Sequence, residues 1–404
     1  MQIDRRALLG ATAASLALPR RSRAQGSVVK LGVLNDQSGP YRDIGGQYSV
    51  AAVKQAVAEF GAAGFGVEVV FADHQNKPDI GIGIARQWFD RDGVDIIFDV
   101  PTSSVALAVN NVCREKNKVY INVGAATADL TGSQCTPNTI HWSYDTYMLA
   151  RSTGGAMVAA GGDTWYFVTA DYVFGQQLQR DTTKFVTEAG GKVLGASPYP
   201  FPGTMDFSSF LISAQASGAK VLGLANAGAD TVNCIKQAVE FGLTRKMKVA
   251  ALLMFINDVN GLGLEAAQGL FLTESFYWDM TDRTRAFTKR FQVFMPNVAP
   301  NMTNAACYSG TLHYLRAIKD LGVAAKADGA AVVARMKAMP TDDDAYGPGR
   351  IREDGMAMFP SYLFEVKTPS ESKYPWDYFK QVVATPADKA WKPLSEGGCP
   401  LVRA

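Results

Sequence analysis

The chain has 404 residues, 47% hydrophobic and 19% charged, too long for one comfortable core and too apolar for disorder. Five arginines and one aspartate fall within the first 24 residues. Removing them from 40 basic and 38 acidic side chains leaves 35 and 37, a net charge of −2 with no basic stripe for nucleic acid.

Those first 24 residues read as an export signal. Arg5-Arg6 open it, Ala7 to Leu18 form a short apolar run, and Ser22-Arg23-Ala24 offers small residues for cleavage. The run is shorter than the roughly 20 apolar residues a membrane span needs. The paired arginines resemble a twin-arginine signal, with Asp4 and Ala7 departing from its pattern. Gln25 after the cut gives no cysteine for a lipid anchor.

From Val28 onward, short β-branched runs alternate with helical patterns. Val28 to Leu34, Val67 to Ala72, Val94 to Val100 and Val119 to Val123 read as strands. Helices are expected between them at Gly45 to Phe60, Asp79 to Asp90 and Ser103 to Lys116. Apolar strands without alternation, joined by helices, imply a parallel sheet covered on both faces. Asn138 to Tyr147 is polar and aromatic with no period, and reads as a first crossing into a second lobe.

The pattern then restarts with strands at Thr164 to Ala170, Lys192 to Ser197, Lys220 to Ala225, Lys248 to Phe255 and Gly269 to Phe276. Two helices, Thr284 to Met295 and Thr303 to Leu321, return to the first lobe, Tyr346 to Gly355 crosses again, and Tyr362 to Val366 is a last strand. The expected organisation is α/β, two doubly wound parallel-sheet lobes on a three-crossing hinge. Residues 27–142 and 275–347 form lobe 1, residues 143–274 and 348–367 lobe 2, and residues 368–404 an irregular tail wrapping the hinge. Ligands of such sheets bind beyond the carboxyl ends of the strands.

Five cysteines are too few for a disulfide-built scaffold. Cys113, Cys234 and Cys307 lie in apolar helical patterns, whereas Cys135 and Cys399 lie in loops and form the expected bridge. Three scattered histidines, His74, His141 and His313, suggest no metal site, and no cofactor is expected.

The strand-end turns supply the candidate site. Ser103 and Ser104 begin a helix whose N–H groups suit an anion, and Ala125, Ala126 and Thr127 form a small-residue turn beside them. Tyr41 is placed as an aromatic wall. From the second lobe come Tyr172 and Phe174 for stacking and Asn226 as donor and acceptor. Dinucleotide, phosphate-loop and nucleophile-elbow signatures are missing, so binding without catalysis is expected.

In order and spacing these residues resemble the periplasmic substrate-binding components of branched-chain-amino-acid-type ABC importers. The likeness runs from Lys30-Leu31-Gly32-Val33-Leu34 through Ser38-Gly39-Pro40 to Tyr362-Leu363-Phe364-Glu365-Val366. Its most specific part is Gly124-Ala125-Ala126-Thr127-Ala128-Asp129-Leu130-Thr131, supported by Asp171-Tyr172 and Phe174-Gly175. The resemblance implies the type I periplasmic binding fold, a periplasmic location, an inner-membrane ABC permease as partner, and a monomer. It also implies that the serine turn and the Ala-Ala-Thr turn hold a ligand carboxylate, here through Ser104 or Ser103, Ala125 and Thr127.

Leucine-type members place an acid on the ligand ammonium after the fourth strand of lobe 2. Here Asp258 is an unaligned stand-in, and small Ala227-Gly228 replaces the family's tyrosine in the preceding turn. The chain looks most like a branch associated with aromatic acids. An aromatic or aryl-aliphatic carboxylate is therefore the expected ligand, with an amino acid as the alternative. A ligand-sensing protein feeding a receptor or regulator is the alternative of another class.

Overall fold

The computed structural model describes residues 28–61 and 64–402. The expected export signal at residues 1–24 lies outside them. Five parallel strands form the first sheet: β1 (Val28–Asn35), β2 (Gly66–Asp73), β3 (Ile96–Asp99), β4 (Val119–Asn122) and β5 (Thr139–His141). Their order is β2-β1-β3-β4-β5, so the winding reverses between β1 and β3.

The second sheet repeats that order with β6 (Thr164–Ala170), β7 (Lys192–Tyr199), β8 (Val221–Ala225), β9 (Lys248–Ala251) and β10 (Phe271–Glu274). Here β7-β6-β8-β9-β10 run parallel. A short antiparallel hairpin follows, β11 (Arg350–Ile351) with β12 (Ala357–Met358). Two antiparallel strands, β13 (Ser361–Val366) and β14 (Phe379–Thr385), extend the second sheet. This is the type I periplasmic binding fold.

Several local expectations change. The run after Lys248 is strand only to Ala251. Asp258 accepts the Phe255 N–H at 2.9 Å and starts a helix at Ile256–Leu262 instead. The Asn138 to Tyr147 crossing contains β5 and ends at Asp145, whose carboxylate accepts the Met148 N–H at 2.7 Å and caps the Thr146–Ala159 helix. Tyr346 to Gly355 does not cross. The Gly355 carbonyl accepts the His141 N–H at 2.9 Å and Met356 bridges His141, so the hairpin stays beside β5, and passage to the second sheet falls between Met358 and Ser361. Residues 348–358, expected in lobe 2, thus sit against lobe 1.

The C-terminal tail is not wholly irregular. It contributes β14 to the second sheet, then returns to lobe 1, where Cys399 is bonded to Cys135 with 5.6 Å between their Cα atoms. Trp391 is buried on the way and donates its indole N–H to the Phe359 carbonyl at 2.9 Å.

The Met302–Leu321 helix, buried along most of its length, packs on the Gly46–Phe60 helix of lobe 1. Its N-terminus reaches back toward lobe 2, where Asn301 Nδ2 donates to Asn257 Oδ1 at 2.7 Å. Among the described residues no helix is long and apolar enough to cross a membrane.

Candidate functional site

The two lobes meet over the carboxyl ends of their strands. The meeting begins with Asp36, at the end of β1. Its carboxylate accepts the Gly39 N–H at 2.6 Å, the Tyr41 N–H at 2.8 Å and Asn76 Nδ2 at 2.8 Å. Asn76 Oδ1 in turn accepts the Thr102 hydroxyl. The ends of β1, β2 and β3 are thereby tied together, and the turn that carries Tyr41 is rigid.

That turn touches lobe 2 directly. The Ala229 N–H donates to the Pro40 carbonyl at 3.0 Å, and the Tyr41 and Tyr172 hydroxyls bond at 2.6 Å. Gly228 makes this approach possible. It has φ of +60°, and a Cβ there would collide with the Pro40 carbonyl. Phe201 stacks on both tyrosines, with centroids 5.4 Å from Tyr41 and 4.4 Å from Tyr172. Deeper in the interface Gln177 Nε2 donates to Asp129 Oδ2 at 2.7 Å.

Behind these contacts lies a cavity walled by both lobes. Ile44, Gly45, Pro101, Gly124, Ala126, Tyr144 and Thr303 line it from one side, and Tyr172, Phe174, Ala227, Leu253 and Phe255 from the other, with Tyr41 across the mouth. Among the described residues that line it there is no lysine, arginine or histidine. Space at its centre is about 10 Å³, room for one water. Tyr144 donates to the Gly124 carbonyl at 2.5 Å and packs edge-on to Phe255, centroids 5.9 Å apart.

Of the residues singled out from sequence, Tyr41, Ala126, Tyr172 and Phe174 line this cavity. The others stand outside its wall. Ala125 donates its N–H to Asn122 Oδ1 at 3.2 Å and its carbonyl accepts Asn122 Nδ2 at 2.8 Å, so that peptide is committed internally. Thr127 Oγ1 accepts the Asp129 N–H at 3.3 Å and caps a short helix. Asn226 turns into its own lobe, its Oδ1 accepting the Thr231 hydroxyl at 2.7 Å. Asp258 faces an outer groove, not the cavity, and caps its own helix. Burial pushes its carboxyl up to about 7, against the pull of the Phe255 N–H.

Ser103 and Ser104 differ from each other. Ser104 is half-buried, whereas Ser103 is wholly buried and its hydroxyl has no partner among the described residues. Thr102 occupies the N-cap of the Ser103–Glu115 helix, yet its side chain bonds Asn76 and leaves the first-turn N–H groups without a side-chain cap. Pro101 of the cavity wall precedes this helix start by two residues, and an uncapped helix start with an orphan hydroxyl suits an anion.

Ile44, Leu253 and Thr303 were missed in the sequence; Tyr144 was read as packing the hinge or roofing the cleft, and Phe255 as part of the strand-end turn Met254 to Asp258. Leu253 and Phe255 follow the true end of β9, and Thr303 opens the returning helix just after its Asn301 cap. The Asn301-x-x-Asn304 cap was the available signal for Thr303. His74 is a turn acceptor, taking the Asn76 N–H at 3.0 Å on Nδ1, and burial lowers it to about 4.

Two facing doubly wound sheets with an uncharged cavity at their strand ends define a bilobal binding protein. The family model described as periplasmic binding protein matches residues 28–373, and the chain belongs to that family. Among solved structures, a periplasmic binding protein from Burkholderia mallei is 49% identical, with a TM-score of 0.89, covering 93% of this chain and 100% of that one. A branched-chain amino acid ABC transporter periplasmic ligand-binding protein from Burkholderia xenovorans LB400 is 38% identical, TM-score 0.80, covering 92% and 99%. A solute-binding protein of an ABC transporter from R. palustris, in complex with benzoate, shares the fold at 20% identity and TM-score 0.82, covering 93% and 100%. A Leu/Ile/Val-binding protein homolog from Brucella abortus is 24% identical over 255 residues; the match spans 60% of this chain and 61% of that relative.

Proposed function

We propose that the protein is the periplasmic solute-binding component of an ABC importer, capturing a small carboxylate by lobe closure without chemical turnover and passing it, as a monomer, to an inner-membrane permease. The observation that carries this reading is the cavity itself. Its walls are mostly aromatic and aliphatic, its lining among the described residues has no basic side chain, and the uncapped helix start carrying the buried Ser103 hydroxyl follows two residues after Pro101 of the wall. An anion held there is stabilised by N–H and O–H dipoles rather than a countercharge. The anion cradle of this proposal is Ser103 with the Ala126 turn, since Ala125 and Thr127 are engaged elsewhere.

Apolar rings on the lobe 2 side favour an aromatic or aryl-aliphatic body for the ligand. Structural neighbours fit both candidates: one was solved with benzoate, and another is a periplasmic ligand-binding protein of a branched-chain amino acid ABC transporter. With about 10 Å³ free at its centre, the cavity takes a ring-sized acid when the lobes part.

A thermal-shift screen over aromatic acids, amino acids and amides tests the reading. An acid at 100 times its Kd should stabilise the fold by about 2.7 kcal/mol. Aromatic acids are expected to raise the melting temperature. Response to amino acids alone would establish the second reading instead.

A further inference from the structure

We propose that Asp99 acts as a proton-linked gate on the ligand's charge, so that an anionic ligand is held only together with a proton on this carboxyl group. The proposal rests on the carboxylate reading above and adds to it a residue that does not line the cavity.

Asp99 ends β3 at the reversal point of the first sheet and is wholly buried. It lies just behind a wall made of two glycines and a proline. A Cβ on Gly124 would stand 2.5 Å from Asp99 Oδ1 and 2.7 Å from Pro101 Cα, and a Cβ on Gly45 would stand 3.0 Å from Asp99 Oδ2. All three wall residues line the cavity. Larger residues at either glycine would push against the carboxylate.

The backbone there is held in an unusual form. Asp99 has φ of +79° and Val100 φ of +57°, the latter a region a β-branched residue rarely enters. Such strain persists only where the surroundings enforce it, and it clusters at functional sites.

The carboxylate is also poorly matched. Asn35 Nδ2 donates to Oδ2 at 3.0 Å, and Oδ1 has no partner among the described residues. The groups facing it are Asn35 from β1, Ser49 from the Gly46–Phe60 helix, the Cys307 thiol, and the Tyr120 and Tyr144 phenols. None is a cation. Burial raises its pKa to about 6, against the pull of Asn35 and the Ser49 hydroxyl.

An ionised Asp99 and a ligand carboxylate would be two like charges on either side of a thin, dry wall. Their repulsion at low dielectric disfavours joint ionisation. The ligand is the stronger acid and remains the anion, so the proton goes to Asp99. Binding therefore takes up one proton wherever free Asp99 is ionised.

Benzoate titrated calorimetrically into the protein from about pH 6 to about pH 8, in two buffers of different ionisation heat, tests this directly. The expected result is a Kd that rises with pH, about fivefold from pH 6 to pH 7 and close to tenfold from pH 7 to pH 8, with proton uptake per benzoate growing from about half to about one. Asp99→Asn keeps the acceptor for Asn35, and should flatten the pH dependence and bind benzoate more tightly than wild type near pH 8. A flat wild-type profile with no buffer-dependent heat overturns the role of Asp99 and leaves the carboxylate reading intact. Failure of benzoate at every pH, with leucine binding more tightly as pH rises, overturns both and makes Asp99 an ammonium partner.

Discussion

Residue by residue, closure depends on a few close contacts. Gly228 lets the Ala229 N–H reach the Pro40 carbonyl, at a backbone angle that side chains resist. Gly228→Ala should leave each lobe folded but hold them apart. Strain of about 1–3 kcal/mol predicts roughly 5- to 150-fold weaker ligand binding. Small-angle scattering with and without ligand would check it, since the variant should compact less. Tyr41→Phe is milder. It removes the hydroxyl pair with Tyr172 but keeps the stack on Phe201, and loss of one hydrogen bond predicts about 2- to 10-fold weaker binding by titration. Unchanged affinity in Gly228→Ala would remove the interlobe contact from the account.

Secondary-structure elements were legible wherever burial wrote a pattern. β1, β3, β4, β6 and β8 carry apolar runs because both faces of the sheet are covered there. β14 escaped because it is an exposed edge, its Val382 and Val383 facing solvent in a Pro-rich tail. The strand expected from Lys248 to Phe255 overran β9 by four residues because Leu252 to Phe255 are all buried, which hides any period. In the site, Tyr41, Ala126, Tyr172 and Phe174 were readable as strand-end turns. Thr303 was not, because topology alone brings its helix start, far along the chain, to the cavity.

Helix starts also carry a pH dependence. Burial pushes Asp145 and Asp258 up to about 7, above the ordinary carboxylate value near 3.8. The folded chain thus holds these protons more tightly than the unfolded chain. That stability is complete below about pH 4 and is lost as pH rises through about 7. Urea midpoints should fall between about pH 5 and about pH 8, and Asp258→Asn should shrink the fall. A fall of equal size in the variant would contradict this assignment.

At the scale of the molecule, the tail does more than wrap the hinge. After β14 on the second sheet it is bonded to lobe 1 through Cys399 and Cys135, 264 residues apart in sequence. Cys135→Ser with Cys399→Ser should lower stability by about 2–5 kcal/mol, read by denaturant unfolding. Equal midpoints in the two proteins would show that the bridge constrains nothing. The lobes themselves close over a cavity with no countercharge, which is the basis for reading an acid at one end of the ligand and a ring at the other.

The comparison of benzoate with benzamide, titrated into the protein near pH 6, tests that reading most directly. The two share shape and ring, and differ in the charge that the Ser103 helix start is proposed to hold. Benzoate is expected to bind at least about tenfold more tightly, the scale of one hydrogen bond to a charged group. Benzamide binding as well as benzoate would contradict the account.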